Sequence, residues 1–127
     1  VSIITPPTKS QRLRKAWGWT TEVFHSDQWS AHFLEVEAGG FCSRHLHHER
    51  ANVFAIHSGE MQVECWFGEQ HETVTLTAGS TYCVPSLVVH RFTCQQDATC
   101  SEYYYADRGG TVDRDDIVRF SEGGKDV

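Results

Sequence analysis

Three histidines carry the first chemical signal in this chain. It holds eight in all, and His45, His47 and His48 fall within four positions. A neutral imidazole offers a metal one ring nitrogen while its other nitrogen donates a hydrogen bond. His45 and His47 stand two apart, the spacing that sends two side chains to one face of a β-strand. His48 points to the opposite face of a strand that continues so far. His90 opens the strand-like run His90-Arg91-Phe92 much later in the chain. Two imidazoles from one strand and a third from another form one side of a coordination sphere, with positions left open for water or substrate. Such a nitrogen set suits Zn, Fe, Ni, Cu or Mn rather than Mg or Ca. Asn52 follows His47 after a short turn. It is a candidate fourth ligand through its amide oxygen, or a hydrogen-bond partner for a bound water or substrate. His25, His32, His57 and His71 have no partner at useful spacing.

Short strands must position these residues, because no stretch reads as a long amphipathic helix. Apolar residues recur with period two in Trp29–Glu37 and Met61–Trp66. Further β-rich runs fall at Thr73–Thr77, Ser80–Val84, Leu87–Cys94 and Cys100–Ala106. Turns are signalled at Ala38-Gly39-Gly40, Ser58-Gly59-Glu60, Phe67-Gly68-Glu69, Ala78-Gly79-Ser80 and Gln95-Gln96-Asp97. This punctuation predicts an all-β sandwich or barrel. Alternation counted from Asn52, His90 and the last strand predicts Phe54, Phe92, Cys94, Tyr103 and Tyr105 as the wall of an internal pocket. Residues 1–11, with Pro6 and Pro7, read as an N-terminal arm, residues 12–122 as one barrel with its C-terminal segment, and 123–127 as a tail. Asp113–Phe120 is expected to form one or two helical turns.

At 127 residues the chain is one domain's worth, long enough to fold without staples. Hydrophobic residues at 39% and charged residues at 22% describe a globular protein. A net charge of −6 with no dense basic face argues against a nucleic-acid partner. No apolar run reaches the roughly 20 residues needed to span a membrane, and no signal-peptide pattern occurs. The five cysteines, odd in number and without a Cys-x-x-Cys pair, read as reduced packing residues, which places the protein in the cytoplasm.

The glycines and proline around the histidines add a longer pattern. One segment runs Gly39, five residues, His45-Leu46-His47, four residues, Asn52, six residues, Gly59, and another runs Gly79, five residues, Pro85, four residues, His90. These resemble the two motifs of the cupin superfamily, G-x5-H-x-H-x3–4-E-x6-G and G-x5-P-x-G-x2-H-x3-N. The resemblance implies a double-stranded β-helix, or jelly-roll, barrel that holds a metal at its open end. Trp17-Gly18, His47-His48-Glu49-Arg50-Ala51-Asn52, Pro85 with His90-Arg91-Phe92, and Asp115-Asp116-Ile117-Val118-Arg119-Phe120 narrow it further. In that order they resemble the C-terminal cupin domain of the type II mannose-6-phosphate isomerases, often fused to mannose-1-phosphate guanylyltransferases. That likeness implies a small polar ligand such as a sugar or sugar phosphate, and a homodimer, for which Trp66 and Phe67 offer apolar area.

The departures from this pattern bear on function. Asn52 stands where the family has its metal-site glutamate, and His45 where the isomerases usually carry glutamine. Leu87 replaces the second-motif glycine and Cys94 its asparagine. Gly123-Gly124-Lys125 replaces a terminal tyrosine-glycine-arginine. Gapless counting puts the last-strand glutamate at Tyr105. Isomerisation of an aldose needs a base beside the carbonyl, so two lost carboxylates would weaken that reading. Three readings stay open: a metal-dependent enzyme on a small sugar-like molecule, an iron-dependent dioxygenase-type site, and a non-catalytic binding module with a degenerate metal site.

Overall fold

A computed structural model describes residues 3–126. Among these residues there is no helix, and every strand pairing is antiparallel. The strands in chain order are β1 (Arg12–Lys15), β2 (Gly18–His25), β3 (Trp29–Val36), β4 (Gly40–Phe41), β5 (His45–Leu46), β6 (Ala51–Ser58) and β7 (Glu60–Phe67). They continue with β8 (Gln70–Thr77), β9 (Thr81–Val84), β10 (Val89–Thr93), β11 (Ala98–Tyr105), β12 (Val118–Arg119) and β13 (Gly124–Lys125). The β-rich runs in the sequence thus became strands, with ends shifted by at most three residues.

One six-stranded sheet runs β1-β2-β3-β11-β6-β9. The other is centred on β10, with the β7–β8 hairpin on one side and the two short strands β4 and β5 on the other. β4 and β5 are flanked in turn by β13 and β12. Between the sheets lies a dry core that includes Leu34, Val36, Phe54, Ile56, Met61, Val63, Leu76, Val84, Phe92 and Cys100. Trp17 closes it with an edge-on contact to Phe92. The five cysteines are free thiols; Cys42, Cys94 and Cys100 are buried among apolar side chains.

The three motif glycines Gly39, Gly59 and Gly79 have φ of 82°, 76° and 90°, a region L side chains enter only at a cost. The fourth motif position is Leu87, whose φ is 70° and which alone among the described non-glycine residues is positive. Its N–H donates to the His47 carbonyl at 2.7 Å, so the turn ahead of His90 is tied to the strand that carries His45.

Two expectations change. Asp113–Phe120 forms no helix: Asp113 Oδ1 accepts the Asp115 N–H at 2.9 Å, making a side-chain-closed turn, and the chain then extends as β12. Residues 123–127 are not a loose tail, since Gly124 and Lys125 pair with β4 and the Lys125 ammonium meets Glu37 at 3.0 Å; Val127 lies outside the described residues. In the arm 1–11, residues 3–11 are exposed and without secondary structure, while Val1 and Ser2 lie outside the described residues.

Candidate metal centre and cavity

The pairing of β10 with β5 sets His90 directly opposite His45. His47 leaves the end of β5, and all three imidazoles are buried. Their ring centroids lie 4.4 Å (His45–His90), 5.0 Å (His45–His47) and 5.3 Å (His47–His90) apart. One ring nitrogen of each comes within 4.8 Å of the other two.

The backbone fixes which nitrogen that is. Nδ1 of His45 meets the Ser43 carbonyl at 2.8 Å, Nδ1 of His47 the Asp116 carbonyl at 2.7 Å, and Nδ1 of His90 the Val88 carbonyl at 2.9 Å. A carbonyl only accepts, so each Nδ1 carries the proton and each Nε2 presents a lone pair. Nε2 of His47 is buried with no hydrogen-bond partner, a costly arrangement unless something fills the space. Burial and the neighbouring imidazoles push the His45 pKa down to about 2. Burial with the Arg50 charge brings His47 down to about 3. Burial, with a smaller push from Arg50, brings His90 down to about 4. Neutral, converging imidazoles with fixed tautomers fit a divalent transition metal.

Asn52, on β6, adjoins the cluster. Its amide nitrogen is 3.3 Å from His90 Nε2 and donates to Glu102 Oε2 at 3.1 Å, and its Oδ1 is buried without a partner. Swapping the two ends of the amide would set Oδ1 against the Glu102 carboxylate, so Glu102 dictates which end faces His90.

Glu102 is the residue that counting along the sequence missed. It lies on β11, where the register places it opposite His32 on β3 and Phe54 on β6. Burial drives its carboxyl above the usual range, against hydrogen bonds from Asn52 and Tyr104 and the nearby Arg50 charge. The last strand therefore does carry an inward carboxylate, three positions before the one expected. The same phase error misplaces two wall residues: Tyr103 and Tyr105 point outwards, 39% and 43% exposed, while Tyr104 is the buried tyrosine. Ala98 and Cys100, both buried, carried the correct phase. Three consecutive tyrosines carry none.

A cavity of about 360 Å³ opens beside the cluster, lined among others by His45, Arg50, Phe92, Glu102, Tyr104 and Arg119. Phe92 is among the lining residues. Phe54 and Cys94 are inward and fully buried but belong to the apolar core rather than to the lining. Arg91, on the opposite face of β10 from His90, pairs with Glu64 at 2.7 Å. His48 is exposed, but its N–H and that of Glu49 both donate to the Asp116 carboxylate at 2.8 Å.

Several solved structures share the architecture. Oxalate decarboxylase from Bacillus subtilis at pH 4.6 superposes with a TM-score of 0.74 at 14% identity, covering 87% of this chain and 30% of that one. The formate complex of the Lactobacillus farciminis oxalate decarboxylase gives 0.73 at 14%, covering 87% and 34%. A Bacillus subtilis oxalate decarboxylase structure with Mn(II) centres gives 0.73 at 13%, covering 87% and 30%. This chain thus spans about a third of the length of these proteins, and at such identity the likeness shows the fold alone. No curated protein matches the chain in sequence. The family model of the Cupin domain (Cupin_2), however, matches residues 32–103. Together with the two antiparallel sheets, this makes the chain an all-β jelly-roll domain that belongs to the cupin family.

Proposed function

We propose that this cupin is a metal-dependent protein that binds or acts on a small polar molecule admitted to the cavity beside His45, His47 and His90. One observation carries the reading: three Nδ1–H groups are committed to backbone carbonyls, so three lone pairs converge and that of His47 is buried without a partner. His45, His47 and His90 would hold a divalent transition metal, with Asn52 beside them. A metal bound there would act as a Lewis acid on a ligand oxygen. Around it, Glu102 and Tyr104 offer a carboxyl and a hydroxyl on the cavity wall, and Phe92 with Trp17 adds apolar lining. The inward Glu102 supports an enzymatic reading, since it returns one of the two carboxylates that the sequence comparison counted as lost. The Mn(II) centres of the oxalate decarboxylase neighbour support a transition metal.

A sugar or sugar phosphate remains the ligand suggested by the isomerase resemblance, and a reducing, cytoplasmic setting is suggested by the five free thiols. Dimerisation through the β7–β8 hairpin would cover Phe67, which is exposed. The non-catalytic reading rests on Asn52, a neutral amide where a charged ligand would strengthen the site.

Elemental analysis of protein purified without a histidine tag or chelator tests the proposal. Near-stoichiometric transition metal in the wild type and its loss in His47→Ala are expected. Iron with substrate-dependent oxygen uptake would select the dioxygenase reading. Absence of metal, with no thermal shift on adding Zn, Fe, Ni, Cu or Mn, would leave the binding module.

A further inference from the structure

Arg50 is a buried cation with no ion-pair partner among the described residues. It ends the turn before β6 and is 6% exposed. Its guanidinium lies over the Tyr104 ring, 4.0 Å from the centroid. None of the ion pairs among the described residues includes it, and its Nε is buried without a hydrogen-bond partner. The nearby buried carboxylate, Glu102, is engaged by Asn52 instead. A guanidinium stays charged at any pH a protein survives, and an unpaired buried charge destabilises a fold heavily. The Tyr104 face offsets part of that cost.

The position of this charge is informative. Arg50 lines the same cavity as His45 and Glu102, and the lining also includes Lys15, Arg114 and Arg119. Arg114 is already paired with Glu22 at 2.7 Å, whereas Lys15 and Arg119 take part in no ion pair among the described residues. Glu122 is also on the wall, so outside the Arg114–Glu22 pair the lining cations Lys15, Arg50 and Arg119 outnumber the lining carboxyls Glu102 and Glu122 by three to two, and a solute reaching Arg50 meets a fork of N–H donors. Such a fork matches the paired oxygens of a carboxylate or a phosphate ester.

We infer that the ligand of this cavity is a small organic oxyanion, whose anionic group docks on Arg50 while the rest of the molecule reaches towards the three imidazoles. Only the second half of this statement rests on the metal-site reading. The buried cation selects for charge whether or not a metal is present, and a neutral sugar would leave it unpaired.

Calorimetric titration of the full chain with malonate, mannose 6-phosphate and mannose tests this, alongside Arg50→Gln and Arg50→Lys and with metal content measured on each sample. At least one anion should bind the wild type while mannose does not, and Arg50→Gln should weaken that anion about thirtyfold or more. Binding of malonate alone would identify a carboxylate, and of mannose 6-phosphate alone a phosphate ester. If Arg50→Gln does not fold, Arg50→Lys should still weaken the anion about tenfold, because the charge survives and the fork does not. Mannose binding as tightly as the anions, no anion binding at millimolar concentration, or unchanged affinity in the variants would overturn the inference. Arg50-dependent anion binding in protein devoid of metal would sustain it while removing the metal reading. Stoichiometric metal with Arg50-independent binding would do the reverse.

Discussion

The two ends of the barrel interior are built from the same strands and follow opposite rules. On β6 the inward positions run Asn52, Phe54, Ile56, and on β11 they run Tyr104, Glu102, Cys100, Ala98. β10 offers His90 and then Phe92, and β3 offers Ser30 and His32 before Leu34 and Val36. Each strand is polar inside at one end and apolar at the other, and registered pairing stacks the polar ends into one layer. The apolar end follows the usual rule for interiors and supplies the driving force of folding. The polar end contains a guanidinium, a carboxyl and three imidazoles that are buried at a cost. Stability and chemistry thus occupy separate layers of one barrel, which makes the separation testable.

The largest effect should fall at the apolar end. Phe54→Ala removes a fully buried ring and should cost about 3–5 kcal/mol in denaturant unfolding, while the folded fraction still takes up metal. His47→Ala should do the opposite: metal content falls to under about a tenth of the wild type, and the metal-free protein unfolds within a few degrees of the metal-free parent. Collapse of the fold in the histidine variant would break the two-layer description. Acid should sharpen it. The three imidazoles are neutral when folded and titrate near 6.5 when unfolded, so the unfolded chain binds more protons below that pH. Stability of the metal-free protein should therefore fall as pH drops from 6.5 towards 4, and His90→Gln should flatten that slope by about one proton. In the turn ahead of His90, Leu87→Val should cost about 1–2 kcal/mol, because a β-branched residue resists φ of 70°, whereas Leu87→Gly should be close to neutral. The smallest change belongs to the rim. Arg14 and Lys125 hold the exposed Glu37 carboxyl down to about 2, so its contribution is present above pH 4.5 and vanishes as pH falls through 2. Lys125→Ala should move the melting temperature at pH 7 by no more than about 2 °C.

Much of this was legible in the sequence because alternation and glycine spacing are local signals. The strands around Leu34, Met61 and Val63 declared themselves by period two, and Gly39, Gly59 and Gly79 marked turns that only positive φ can make. The H-x-H pair and His90 were visible as a set through the spacing that binds them to those turns. What was not legible depended on phase or on contacts distant in sequence. Glu102 stood hidden beside Tyr103, Tyr104 and Tyr105, a run in which inside and outside look alike. Arg50 entered only as a letter of the motif string His47–Asn52, since nothing local tells that its partner is the ring of Tyr104 on a distant strand. The turn at Asp113 read as helix because its charged and apolar residues suit either state until β5 claims Val118 and Arg119.

Asp116 grips the first motif three times: its carbonyl holds the His47 ring, and its carboxylate holds the N–H groups of His48 and Glu49. The C-terminal segment is therefore a latch on the tautomer of one imidazole. While the latch is shut, the proton on His47 Nδ1 is held in a hydrogen bond to the Asp116 carbonyl, and its exchange should slow with the stability of residues 113–120. The aim of the His47 Nε2 lone pair is thus held by a stretch of chain nearly 70 positions away in sequence.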